Sequence, residues 1–247
     1  MRKWMARLHK WASVVIGLQI LAWVVSGLYM TAIPIEEVRS EHRIREQATI
    51  DLRSFAALIT PAQAVAAIGG DSGVMRLELR GWLGTPVYEA SLTNGETALV
   101  DAQTAEILSP LTESNARATA EADYAGSGAI ASVKLIENDP PIEYRGALPV
   151  WQIAFDDPDE LRLYVSPATG KVVARRSEVW RIYDFLWSLH IMDYSARENF
   201  NNPLVIIATI AALFLVVTGA FLVYQRFVPA RRARSKDTTA RTESERN

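Results

Sequence analysis

The sequence predicts an α+β membrane protein, with two transmembrane helices flanking a periplasmic domain of two tandem helix-plus-antiparallel-sheet units. Two observations carry this prediction. Residues 11–33 and 203–225 each run for 23 positions without a charge. At about 1.5 Å per residue, either run is long enough to cross a hydrocarbon core of roughly 30 Å. Between them the chain repeats itself. Pro86-Val87-Tyr88 aligns with Pro149-Val150-Trp151 at an offset of 63, and residues 100–107 align with 165–172 at an offset of 65. Two offsets that differ only by a two-residue longer turn in the second copy mark a duplicated unit, and two small units packed together bury more surface than either alone.

Charge sets the expected orientation. Arg2, Lys3, Arg7 and Lys10 precede the first run without an acid among them, and Arg226, Arg231, Arg232, Arg234 and Lys236 follow the second. The positive-inside rule then places both termini in the cytoplasm and residues 34–202 in the periplasm, as in a protein of the bacterial inner membrane. The intervening segment holds 15 Lys/Arg against 25 Asp/Glu, which argues against a nucleic-acid partner. The first run exceeds the core of a signal peptide, about 7 to 15 residues, and Met30 and Ala32 make a poor cleavage site, so a retained anchor is expected. The chain has no cysteine, which excludes disulfides, thiolate metal sites, cysteine nucleophiles and c-type haem attachment. Residues 235–247 are polar and charged, a composition expected to stay disordered.

The expected organisation is a first transmembrane region at 1–33, a helix and linker at 34–58, one unit at 59–111, a second at 112–177, an interfacial helix and turn at 178–202, a second span at 203–226 and a basic cytoplasmic tail at 227–247. In the first unit, Thr60 before Pro61 reads as an N-cap with proline at the first helical position, and Gly69-Gly70 as the stop. Met75, Leu77 and Leu79 alternate with Arg76, Glu78 and Arg80, a half-buried strand. A strand over 86–92 meets Asn94-Gly95, the favoured pair for a type I′ turn, and residues 98–100 return from it before Ile107-Leu108 closes the unit. The second unit repeats the order, with a helix near 112–124 and strands near 132–136, 150–155, 161–165 and 171–174.

Thr60-Pro61 with Ala64, the Pro86-Val87-Tyr88 strand, and the closing hairpin from Val100-Asp101-Ala102 to Glu106-Ile107 resemble the PepSY domain. Leu8-His9-Lys10-Trp11 at the first span and Leu189-His190 before the second resemble PepSY-associated transmembrane proteins, and the resemblance covers residues 5–228. It implies one of two functions. Soluble PepSY modules in metalloprotease propeptides restrain a peptidase, whereas multi-span relatives resemble siderophore-linked reductases that hold b-type haem between helices. Two spans, rather than four or more, depart from a complete reductase in one chain.

The three histidines all flank the membrane runs. His9 shares a helical face with Ala12, Ile16 and Trp23, as an interfacial histidine or as an axial haem ligand with Gly17 or Gly27 leaving room for a macrocycle. His42 continues a stripe with Ile35 and Val38 on a short helix starting at Pro34. His190 lies with Val179, Ile182, Leu186 and Leu189 on one side of a helix whose other side is Arg181, Asp184 and Ser188. His42 and His190 are expected to converge outside the same membrane face, with His9 roughly 35 Å away across the bilayer. Without a third ligand nearby, the pair suits a bis-His haem better than zinc. The alternative is that each ring bonds a backbone carbonyl or an acid such as Asp193. No Gly-x-Ser-x-Gly, His-Glu-x-x-His or nucleotide-binding glycine loop is present, and Asp156, Asp157, Asp159 and Glu160 lack the spacing of a calcium loop. Two function classes remain: an accessory electron-transfer protein that is not a self-sufficient enzyme, and a non-enzymatic module that binds a periplasmic or membrane protein. Ser13, Gly17, Ser26, Gly27, Thr218 and Gly219 permit close helix contacts, including those of a homo-oligomer.

Overall fold

The computed structural model describes residues 2–46 and 50–244. The chain forms two compact units, one of Met1–Ala32 with Phe185–Asn247 and the other of Ile33–Asp184. The first contains α1 (Arg2–Ala32), the last turns of α5 (Glu178–Ile191) and α6 (Pro203–Ser244). Two stretches have the length and composition of membrane spans, His9–Ala32 and Pro203–Phe227. Their large apolar side chains point outward, Leu18 being 72% and Ile207 65% exposed, which suits helices solvated by lipid and not the core helix of a soluble protein. Helix α6 runs on to Ser244, past the point where polarity predicts disorder. Alanine, arginine, lysine and glutamate in that stretch are good helix formers, and they extend a helix already nucleated.

The second unit begins with α2 (Ile35–Val38) and a 3-10 turn at Glu41–Arg43. These two do not form the single helix expected through His42. Ser40 takes a left-handed conformation (φ 57°) and ends the first turn, so Val38 is buried while His42 is exposed. Helix α3 (Pro61–Ile68) then leads into a three-stranded meander, β1 (Val74–Trp82), β2 (Thr85–Leu92) and β3 (Thr97–Asp101). Helix α4 (Glu113–Asp123) leads into a four-stranded one, β4 (Ala129–Ile136), β5 (Val150–Asp156), β6 (Arg162–Val165) and β7 (Val172–Arg176).

The duplication extends to register. Tyr88 pairs with Val100 and Glu89 with Leu99, while the aligned Trp151 pairs with Val165 and Gln152 with Tyr164. The β1–β2 pair slips between Val74 and Arg76, and β4–β5 slips between Ile130 and Ser132, both 56 positions further on. Each helix starts at a threonine whose side chain accepts the amide of the residue three further on, Thr60 from Gln63 and Thr112 from Asn115. Gln63 reaches back to the Thr60 amide and completes a capping box. One turn into each helix, Ala64 and Ala116 are fully buried. The strand that closes the second unit is reduced in the first to a bridge between Val100 and Ile107.

Two departures lie in the turns. The two-residue turn with both residues at positive φ falls at Leu83-Gly84 and not at Asn94-Gly95. At Asn94-Gly95 only the glycine is left-handed (φ 86°). Its amide bonds Leu92 O, making a three-residue loop of the bulged kind. The other departure is size: the short turn at Leu83-Gly84 has as its counterpart the long connection of residues 137–149, which moves the alignment offset from 56 to 63. The two repeats, both within the second compact unit, are pinned to each other by Trp82, whose Nε1 donates to Thr119 Oγ1 at 3.2 Å, and by Trp151, whose Nε1 donates to Leu111 O at 3.0 Å. Glu89 ties in Lys171 at 2.8 Å and Arg80 at 2.7 Å. Burial pushes the Glu89 carboxyl up, but the two cations outweigh it and hold it below its usual range.

Candidate functional site

Two of the three histidines sit in the transmembrane unit, each against a hydroxyl-glycine pair on a helix. His190 Nδ1 lies 2.9 Å from Ser26 Oγ, and a Cβ on Gly27 would stand 3.9 Å from its Cε1. His9 Nδ1 lies 2.8 Å from Thr218 Oγ1, and a Cβ on Gly219 would stand 3.3 Å from its Cε1. In both cases the hydroxyl proton is already committed to the helix's own backbone. Ser26 donates to Trp23 O at 3.2 Å and Thr218 to Phe214 O at 2.8 Å. A hydroxyl so committed can accept from Nδ1–H, which suits the tautomer with its lone pair on Nε2. A metal-binding imidazole needs that tautomer, fixed from behind by a hydrogen bond.

The two rings do not meet. His9 and Ser26 are 17 residues apart on α1, roughly 25 Å along the axis. His42 belongs to the other unit, where it is exposed and its Nε2 accepts from the neighbouring Arg43 Nε at 3.3 Å. Gly17, the other candidate for relieving crowding, has nothing within 4 Å of where a Cβ would stand. Among the described residues no group of three or more His, Asp or Glu is placed to hold a metal ion.

Helix α5 ends in a way the sequence did not announce. Its last three carbonyls each receive a side-chain donor: Leu189 O from Gln19 Nε2 at 3.2 Å, His190 O from Trp23 Nε1 at 2.8 Å, and Ile191 O from Asn202 Nδ2 at 2.8 Å. These groups have no partner within the helix and must find one elsewhere. Asn202 also accepts from the Val205 amide at 3.1 Å, so one side chain closes α5 and opens α6. On the polar side of α5, Asp184 is 4% and Ser188 2% exposed, while Ile182 and Phe185 point outward. Arg145 at 2.8 Å offsets the buried charge of Asp184, and Ser188 donates to Phe185 O at 2.7 Å.

Asp193 does not reach a histidine. Its carboxylate accepts the amides of Ser195, Ala196, Glu198 and Asn199 at 3.0 to 3.3 Å. The Asn199 amide contributes most, followed against burial by those of Glu198 and Ser195, and together they hold the carboxyl down at about 2.

The long connection of the second unit is fastened by Glu143, 4% exposed, which accepts from Tyr164 Oη at 2.7 Å and from Arg162 at 2.9 Å. Burial, reinforced by this carboxylate, pushes the Tyr164 phenol well above its ordinary value. Burial also lowers Arg176, whose guanidinium lies 4.1 Å over the Trp180 ring. Sequence reasoning read Ser26, Gly27, Thr218 and Gly219 as small packing residues and passed over Gln19. An amide inside an apolar run was the signal for Gln19.

Two membrane-spanning helices and a paired helix-plus-sheet domain define a membrane-anchored α+β protein. The family described as PepSY-associated TM region matches residues 6–242, and the chain belongs to it. No curated protein and no solved structure matches the chain.

Proposed function

We propose that this protein is an accessory electron-transfer component of the bacterial inner membrane, with both termini cytoplasmic and residues 34–202 presented to a periplasmic or membrane partner. The observation that carries the reading is the hydroxyl contact at Nδ1 of His190 and of His9. Each ring is held at that nitrogen, so Nε2 is the one that would hold an iron. A b-type haem at such a nitrogen carries one electron by cycling between ferric and ferrous iron. The fit is partial: each site offers one nitrogen, and roughly 25 Å along α1 separates the two, so each needs a second ligand. His42, exposed and lightly held, is one candidate for that ligand, and a second copy of the chain is another.

The test is the visible spectrum of detergent-solubilised protein expressed with haem supplementation. A Soret band with sharp reduced bands, lost or shifted in His190→Ala or His9→Ala, supports the reading, and His42→Ala reports whether the third histidine contributes. A colourless preparation defeats it and leaves a module that restrains or senses a partner protein, such as a peptidase.

A further inference from the structure

We propose that the C-terminal turn of α5 is seated inside the hydrocarbon layer, so that the membrane unit consists of two spans and an inserted helix end whose outer neighbour is lipid. The register of the two spans sets the depth of this helix end. His9 lies opposite Thr218, and α1 and α6 are antiparallel, so Pro203 at the start of α6 is level with about Val24 of α1. A bilayer that covers the apolar start of α6 therefore reaches at least to Val24. The α5 carbonyls bond below that level, Leu189 O to Gln19 and His190 O to Trp23. Gln19 lies five residues below Val24, or roughly 7 Å deeper.

Two further observations fit lipid and not water around this helix end. Backbone groups in hydrocarbon must be satisfied by protein, and the last three carbonyls of α5 all are. In water solvent could serve some of these carbonyls, whereas in hydrocarbon each of them needs a protein donor. On this helix Ser188 is 2% exposed whereas Phe185 is 53% exposed, and Leu18, Val24 and Leu28 of α1 also point outward. An exposed apolar face of that kind is expected where the solvent is acyl chain. Neither argument uses a cofactor, so the insertion stands or falls apart from the haem reading.

The chain has no cysteine, so single thiols can be placed without background. Spin labels at Val24→Cys and Leu189→Cys, in protein reconstituted into phosphatidylcholine vesicles, would be compared with Asn94→Cys in the soluble unit. Broadening by lipid-soluble oxygen should dominate at the first two positions and broadening by an aqueous nickel chelate at the third. Leu189→Cys could disturb folding, and Phe185→Cys, at a side chain 53% exposed on the same helix, then carries the test, with Val24 in the α1 span as the lipid-exposed reference. An α5 label open to the nickel chelate as fully as the Asn94 label, with the Val24 label closed to it, would overturn the insertion.

Discussion

The Nδ1 of His190 sits 2.9 Å from the hydroxyl of Ser26, and the Ser26 proton is turned away onto its own helix. His9 and Thr218 repeat the relationship near the other end of α1. In each place a glycine follows the hydroxyl residue and makes room for the ring. His9 and His190 are thus each joined to a membrane helix by one recurring device, a ring nitrogen against a hydroxyl beside a glycine.

If these bonds hold the helices, removing the hydroxyl leaves a half-buried ring nitrogen without that partner. Ser26→Ala and Thr218→Val should each destabilise the membrane unit by about 1 kcal/mol, near the upper half of interhelical bonds measured in bilayers. Unfolding in mixed micelles would read the loss. No change in both variants would mean that the rings find water instead.

The two glycines should respond differently to alanine. A Cβ at Gly27 meets the His190 ring at ordinary contact distance, 3.9 Å, whereas at Gly219 it meets His9 at 3.3 Å. Alanine gains about 1 kcal/mol over glycine in a helix interior. Gly27→Ala should therefore stabilise, and Gly219→Ala should forfeit the gain to crowding. The same unfolding experiment decides it, and equal gains at both sites would contradict the tight contact.

The repeat makes a matched pair of core predictions. Val87 and Val150 occupy equivalent register positions and are both fully buried. Truncation to alanine should cost about 1 to 3 kcal/mol at either site through lost burial and cavity formation. Chemical denaturation of the reconstituted protein would measure it. A large cost at one site and none at the other would argue against two equivalent cores.

The spans and the duplication were legible because each rests on a pattern local in sequence, an uncharged run or a repeated strand-and-turn motif. The type I′ turn was misplaced because Leu83 has no turn chemistry of its own; strand register imposes the positive φ on it. Helical periodicity divided α5 into two sides without saying which is buried, and Asp184 is buried against Arg145, 39 residues earlier. The Ser26–His190 and Thr218–His9 bonds span 164 and 209 residues, beyond any spacing rule.

Glu143 anchors the connection that distinguishes the second unit from the first. Glu143→Ala leaves the Tyr164 hydroxyl without its acceptor and Arg162 without its partner in a site almost closed to water. Arg162 keeps 35% side-chain exposure, so the cost should fall at the low end for breaking a buried pair, roughly 3 kcal/mol. Proteolysis of the native protein should then cut within residues 137–149 first. Unchanged resistance there would show that the connection is held by its apolar contacts alone.

Acid should release the turn between α5 and α6 at an unusually low pH. Asp193 gathers four backbone amides, and its carboxyl is held at about 2 against an ordinary value near 3.9. A carboxyl with a depressed folded value stabilises the fold above its unfolded value, and that contribution fades as pH falls toward the folded one. The turn should stay ordered through pH 4 and loosen between about 4 and 2. Trp187 reports on it, because its Nε1 donates to Arg197 O at 3.1 Å inside the same turn. Its fluorescence, isolated by difference against Trp187→Phe, should change over that range in the native chain. Asp193→Asn, which keeps one acceptor oxygen and loses the charge, should have the turn loosened already at neutral pH and show no such transition. Identical acid profiles for the two chains would mean that Asp193 does not organise the turn.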